Sequence, residues 1–159
     1  MDTPAHILTP INITFSIRTA ECLSFSFTDY ALKNKIAIDS GSFQYDFKVQ
    51  QTVLPDEKNL SVTFLTTLLE IQGASRIPLA DLTSKMIFHI VNFDDVIQTV
   101  NNQFQISNAL LSLASGISAS TVRGMFVIKL QGSIYTNAVM PAVDPNIFIP
   151  HRPLSNNLL

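Results

Sequence analysis

Along the first fifty residues apolar and polar side chains take turns. Ile11, Ile13, Phe15 and Ile17 alternate with Asn12, Thr14, Ser16 and Arg18, the period of a half-buried strand. The alternation resumes at Leu23, Phe25 and Phe27. Asp29 to Gly41 breaks it and reads as a long connector, although it carries Tyr30, Leu32, Ile36 and Ile38. A second strand follows, with Phe43, Tyr45, Phe47 and Val49 on one face and Gln44, Asp46, Lys48 and Gln50 on the other. Pro55 to Asn59 is a turn by its chemistry, because proline presets the backbone of the first turn residue. Leu60 to Ile71, apolar and β-branched, predicts a third strand that Gly73 breaks off. Lys85 to Phe93 is apolar on both faces and predicts a fourth, covered strand. This order predicts an antiparallel sheet of four.

Near residue 104 the period changes. Ile106, Leu110, Leu113, Ile117, Thr121, Met125 and Ile128 recur every three or four residues, the spacing of one helix face. Ser107 has the right chemistry for an N-cap, and Gly132 for a stop. The same segment is loaded with small side chains, which let a helix approach its neighbour closely. Two readings of them stand side by side: close packing on the chain's own sheet, or contact with a second subunit through Ala109, Ser112, Gly116 and Ala119. Met140 to Pro145 is extended, since a residue before proline is pushed away from the helical region. Asp144-Pro145 then predicts an N-cap with proline at the first helical position, and Pro150 and Pro153 stop that helix within about two turns. The reading is α+β over residues 1–159 as one domain: four antiparallel strands with a long connector after the first, one long helix packed on them, and a short C-terminal helix.

Composition changes the picture in one direction. Hydrophobic residues make up 47% and charged residues only 14% of the chain, against about 25% charged in an average domain. So few charges leave apolar surface outside after folding, and a second subunit or an apolar ligand is the natural cover. The net charge of −2 comes from 10 basic and 12 acidic residues with no cluster of Lys or Arg, so no footprint for nucleic acid is expected. Apolar runs such as Met86 to Phe93 and Met125 to Leu130 are far short of the roughly 20 residues of a membrane span. No membrane partner is expected, and without a secretory signal the expected address is the cytoplasm.

Candidate chemistry is sparse. Cys22 sits in strand register, where a lone cysteine behaves as a small hydrophobe. His6 and His151 lie in proline-flanked termini, and His89 falls within an apolar strand. Asp94-Asp95 follow a strand and read as a cap or loop pair. No spacing suits a metal, no glycine-rich loop leads from strand to helix, and Gly73-Ala74-Ser75 is no nucleophile elbow. The expectation is a protein without catalysis, metal or other cofactor.

The run Ser115 to Pro145, SGISASTVRGMFVIKLQGSIYTNAVMPAVDP, resembles the corresponding segment of the SecB-like chaperones. The matching residues are Ser120, Arg123 and Gly124 at the end of the long helix, then Pro141 and Asp144-Pro145. The order of the four upstream strands is similar too. Export-dedicated members carry an acidic surface that this chain lacks, which favours a relative serving a toxin–antitoxin pair or another client.

The resemblance implies an ATP-independent holdase that binds unfolded, extended apolar segments and assembles as a dimer or tetramer. A peptide groove between the connector and the last helix would place Tyr30, Leu32, Ile36 and Ile38 opposite Ile147, Phe148 and Ile149. Assembly would use Ile11, Ile13, Phe15 and Ile17 of the first strand with the helix face Ala109, Ser112, Gly116 and Ala119. A non-catalytic oligomeric scaffold built on the same fold is the alternative, and a carrier of a small apolar ligand is a third.

Overall fold

A computed structural model describes residues 12–27 and 43–150 and the backbone of 154–155. Four strands form its main sheet: β1 (Phe15–Phe27), β2 (Phe43–Leu54), β3 (Asn59–Gln72) and β4 (Ser75–Ile90). All neighbours are antiparallel, in the spatial order β1-β4-β3-β2. The expected α+β architecture is therefore present: this sheet, one long helix (Asn108–Leu130) and a short 3-10 helix (Pro145–Phe148).

The predicted turn forms as Pro55–Glu57, a 3-10 turn closed by Lys58 at φ 53°. Register then decides which residues are buried. Tyr45 pairs with Leu68, Val49 with Phe64 and Val53 with Leu60, so the apolar set of β2 shares a face with the apolar set of β3. On β4 the same face carries Leu82, Met86, Phe88 and Ile90, all essentially without exposed surface. That face is the core wall. β4 begins ten residues before its expected start, because Ser75 to Ser84 mixes polar residues and Pro78 into the run and hides it from periodicity.

β1 is an edge strand and keeps its alternation only with interruptions. Its register on β4 slips between Ile17 and Thr19 and again between Cys22 and Ser24. Such bulges re-aim the side chains that follow. Phe15 and Phe25 remain turned inward, Phe15 edge-on to Phe88 and Phe25 edge-on to Phe126 of the long helix.

The helix lies across β1, β3 and β4. Ser107 caps it as expected, its hydroxyl accepting from the Leu110 amide at 3.3 Å, and Gly132 follows its end at φ 75°. Its buried face needs correction. Leu110, Leu111, Ala114, Ser115, Ser118, Ala119, Val122, Phe126 and Leu130 are its buried residues, while Leu113 and Ile128 of the expected stripe are exposed. With Arg123 and Lys129 as its sole charges, the helix is apolar or small nearly all round. Periodicity then has no polar face to contrast with, and the sheet's aromatic wall selects the small residues for close approach. The same composition makes this helix long and apolar enough to cross a bilayer, which revises the expectation that no such segment exists; here one face of it is buried against the sheet.

One element was not expected. Between β4 and the helix, a short turn (Phe93–Val96) leads into a hairpin of β5 (Ile97–Val100) and β6 (Gln103–Ile106), joined by Asn101-Asn102. Both asparagines have positive φ, 51° and 58°, the requirement of a two-residue turn that matches the twist of its strands. A third strand, β7 (Leu154–Ser155), pairs on β6.

Candidate functional site

The chain between the long helix and Pro150 is bound down by a few specific contacts. Tyr45 donates from its hydroxyl to the carbonyl oxygen of Ala138. Tyr135, Ala138 and Met140 are buried beside it, and Tyr135 stacks on Phe27 at the end of β1. Farther on, Asp144 caps the 3-10 helix by accepting from the Asn146 amide at 3.0 Å, as Asp-Pro chemistry predicts. Pro145 then rests on the long helix at Gly116. A Cβ added there would stand 3.3 Å from the Cβ of Pro145, so glycine permits this close approach.

Phe148 is the anchor of the segment. Its ring stands edge-on to Phe64 at 5.1 Å and to Phe47 at 5.9 Å. Gln51 donates through Nε2 to the Phe148 carbonyl at 3.2 Å and to Ser115 Oγ at 2.9 Å, joining β2, the helix and the tail. Of the three tail residues expected in a peptide groove, Phe148 thus fills a niche of its own core. Ile149 is half-buried, and Ile147 is 64% exposed. Their expected partners Tyr30, Leu32, Ile36 and Ile38 lie outside the described residues, as does Ile11 of the expected assembly strand.

The other assembly candidates separate. Ile13 and Phe15 pack on the core, whereas Ile17 is half exposed on the sheet's edge. Ala109 is exposed on the helix, and Ser112 and Gly116 are half-buried. Ala119 is buried, beside the segment Met140 to Val143, so it is removed from any outer contact face. In its place the outer face brings Ser120 and Gly124 into line with Ser112 and Gly116 at four-residue spacing. An open groove of about 730 Å³ runs there, walled by Leu113, Ile117, Val143 and Pro145. Sequence reasoning missed this alignment because it assigned Leu113 and Ile117 to the core.

The candidate groups His89, Asp94 and Cys22 each make local contacts. His89 donates from Nδ1 toward the Glu57 carbonyl at 3.2 Å and Asn59 Oδ1 at 3.1 Å, and Asn59 donates to Glu57 Oε2 at 2.7 Å. Asp94 lies 3.5 Å from Lys58 in an exposed pair. The Cys22 thiol, half-buried, donates weakly to the Ser24 carbonyl. Among the described residues no three His, Cys, Asp or Glu gather in a metal-binding arrangement.

Electrostatics in the core are set by burial. Tyr45 is pushed up to about 12 because its phenolate would lose water. Burial raises Tyr135 as well, with the nearby Glu70 carboxylate adding to the effect. Both phenols stay neutral at neutral pH.

Compared with known proteins, the chain matches no protein-family model and no curated protein.

Proposed function

We propose that this protein is an ATP-independent holdase that assembles through its β1 edge and long-helix face and holds extended apolar polypeptide segments. The observation that carries this reading is the apolar surface left outside. Leu113, Val127 and Ile128 on the helix, and Ile134, Val139 and Ile147 after it, are all exposed. From Val96 to Val122 the sequence contains no charge at all. Six large exposed apolar side chains on one helix and the segment after it are what a contact surface would use.

The two halves of that surface suit different tasks. The small residues Ser112, Ser120 and Gly124, flanking the Pro145 contact at Gly116, would let a second helix come close, and Leu113 and Ile117 would fill the partner's groove in a self-complementary pair. The segment from Ile134 to Ile147 offers scattered apolar side chains along an irregular backbone, suited to many weak contacts with an unfolded client. Burying apolar area at roughly 25 cal/mol per Å² suffices when several such sites act together.

Two measurements test it. Light scattering should give the mass of a dimer or tetramer, and the protein without ATP should suppress aggregation of a thermally unfolded client. A monomer that leaves aggregation unchanged sinks the proposal. Replacing Ile134, Val139 and Ile147 together with Ser should weaken suppression while the assembly keeps its mass. Unchanged suppression in that variant would remove Ile134, Val139 and Ile147 from the client surface, and assembly without any suppression would favour the pure scaffold instead.

A further inference from the structure

The open groove on the outer side of the long helix continues past Val143. Gly116, Ser120 and Val143 also wall a narrower pocket of about 80 Å³, against about 730 Å³ for the groove itself. Ala119, Arg123 and the chain from Met140 to Val143 complete that pocket. Groove and pocket form one channel between helix and tail, wide at Leu113 and Ile117 and tight at Arg123.

The wall that the tail contributes is fixed in place. The Tyr45 hydroxyl fastens it at the Ala138 carbonyl, and the Asp144 cap with Pro145 on Gly116 fastens its other end. Between these points the main chain of Met140 to Val143 makes no hydrogen bond to any described residue. Water or another chain must satisfy those amides and carbonyls.

Arg123 is the one charged residue in the lining of either space. Its side chain is exposed, and the helix from Asn108 to Leu130 contains no Asp or Glu. Among the described residues no carboxylate lies within ion-pair distance of it. The neighbouring hydroxyls are turned back on the helix: Ser120 donates to the Gly116 carbonyl and Thr121 to that of Ile117, both at 2.9 Å. An apolar channel thus ends on a free guanidinium, whose planar fork suits a carboxylate.

We propose that this channel binds the C-terminal end of an extended apolar polypeptide, with its α-carboxylate on Arg123 and its main chain along Met140 to Val143. Each part of the lining selects a feature of that occupant. The uncompensated guanidinium selects an anion. An extended wall of unpaired main-chain groups selects a partner that carries the same groups, which a polypeptide has and a hydrocarbon tail lacks. The narrowing selects a chain end, because a space of about 80 Å³ admits a terminal carboxylate but no chain passing through. Leu113 and Ile117 would cover the apolar side chains that precede it. These two residues cannot serve a partner helix at the same moment, so peptide binding and helix pairing exclude each other at one groove. This deepens the holdase reading and takes polypeptide as the ligand from it.

The test uses the full chain and a hexapeptide of alternating serine and leucine that ends in leucine. It is labelled with fluorescein at its N-terminus and made in two forms, free acid and C-terminal amide. In anisotropy titrations the unaltered protein should bind the acid about tenfold more tightly, the scale of one charge-assisted hydrogen bond. Arg123→Gln should bind both forms alike, at the affinity of the amide, and Arg123→Lys should restore part of the difference. The exposed position of Arg123 keeps these changes away from the core. Equal binding of acid and amide by the unaltered protein, binding of neither, or a difference that survives in Arg123→Gln overturns the proposal. So does displacement of the peptide by an equal concentration of dodecanoate, which would assign the channel to a fatty acid. Aggregation suppression is measured separately on a thermally unfolded client. Its failure would sink the holdase reading while the acid–amide difference stood, and the reverse result would sink this site alone.

Discussion

The hydroxyl of Tyr45 donates to the carbonyl oxygen of Ala138 over 2.5 Å, fastening edge strand β2 to the chain that leaves the long helix. Burial favours the neutral phenol and pushes its pKa to about 12, against about 10 in an unfolded chain. The folded state therefore holds this proton more tightly than the unfolded state. The stability it contributes is complete below pH 10 and is lost as pH rises from about 10 to 12. Because Tyr45 is only partly buried, that contribution is no more than about 2 kcal/mol. Tyr45→Phe should cost about 1 kcal/mol at pH 7 through the lost hydrogen bond. It should also flatten the alkaline fall in urea-measured stability without abolishing it, since Tyr135 is raised in the same direction. An alkaline slope equal to that of the unaltered protein would contradict the assignment.

The Phe148 anchor makes a second expectation. Truncating a half-buried aromatic that touches two rings should cost about 1–2 kcal/mol, less than the 3–5 typical of a fully buried one. The loss should be local. In Phe148→Ala, hydrogen exchange at Ile147 and Ile149 should speed up while β3 and β4 amides keep their protection. Uniform loss across the sheet would mean that the ring supports the whole core rather than the tail.

Thr66 sits on the inner face of β3, between Phe47 and Leu82 in register, with its hydroxyl buried and unpartnered. A buried hydroxyl without a hydrogen bond costs about 1–3 kcal/mol, and valine has nearly the same shape. Thr66→Val should therefore stabilise the protein by about 1 kcal/mol, seen as a higher urea midpoint at unchanged slope. A lower midpoint would show that the hydroxyl has a partner, such as a bound water.

What was legible in the sequence followed the strength of local contrast. β2 alternates cleanly between Phe43 and Gln50, and its register on β3 uses that alternation without a break. Ser107 and Asp144 carry capping chemistry that is local to a few residues, and both cap as expected. The helix face failed for the opposite reason: Leu113 and Ile128 look like core residues, but the sheet chooses Ala114, Ser115 and Ser118 for their size. That choice depends on the aromatic side chains across from them, which no helical period records. In the candidate site, the Asp-Pro start was readable, whereas Phe148 turning into its own core depends on Phe47, Phe64 and Gln51, far away in sequence. The β5–β6 hairpin did leave a trace, because Asn101-Asn102 separates Ile97 to Val100 from Gln103 to Ile106, but neither flank is apolar enough to announce a strand.

That hairpin supports the last expectation. Asn101 and Asn102 both occupy the left-handed region, where asparagine is tolerated and glycine is at ease. The preferred pair for such a turn is asparagine followed by glycine. Asn102→Gly should thus stabilise the hairpin by roughly 0.5 kcal/mol, offset in part by glycine's greater freedom in the unfolded chain. Asn102→Val should do the reverse and cost about 1–2 kcal/mol, since a β-branched residue at positive φ is strained. Because Gln98 and Gln105 face each other across this hairpin, the two variants should also bracket the unaltered protein in their hydrogen-exchange protection. If valine were tolerated without loss, the turn would not be held in the left-handed conformation.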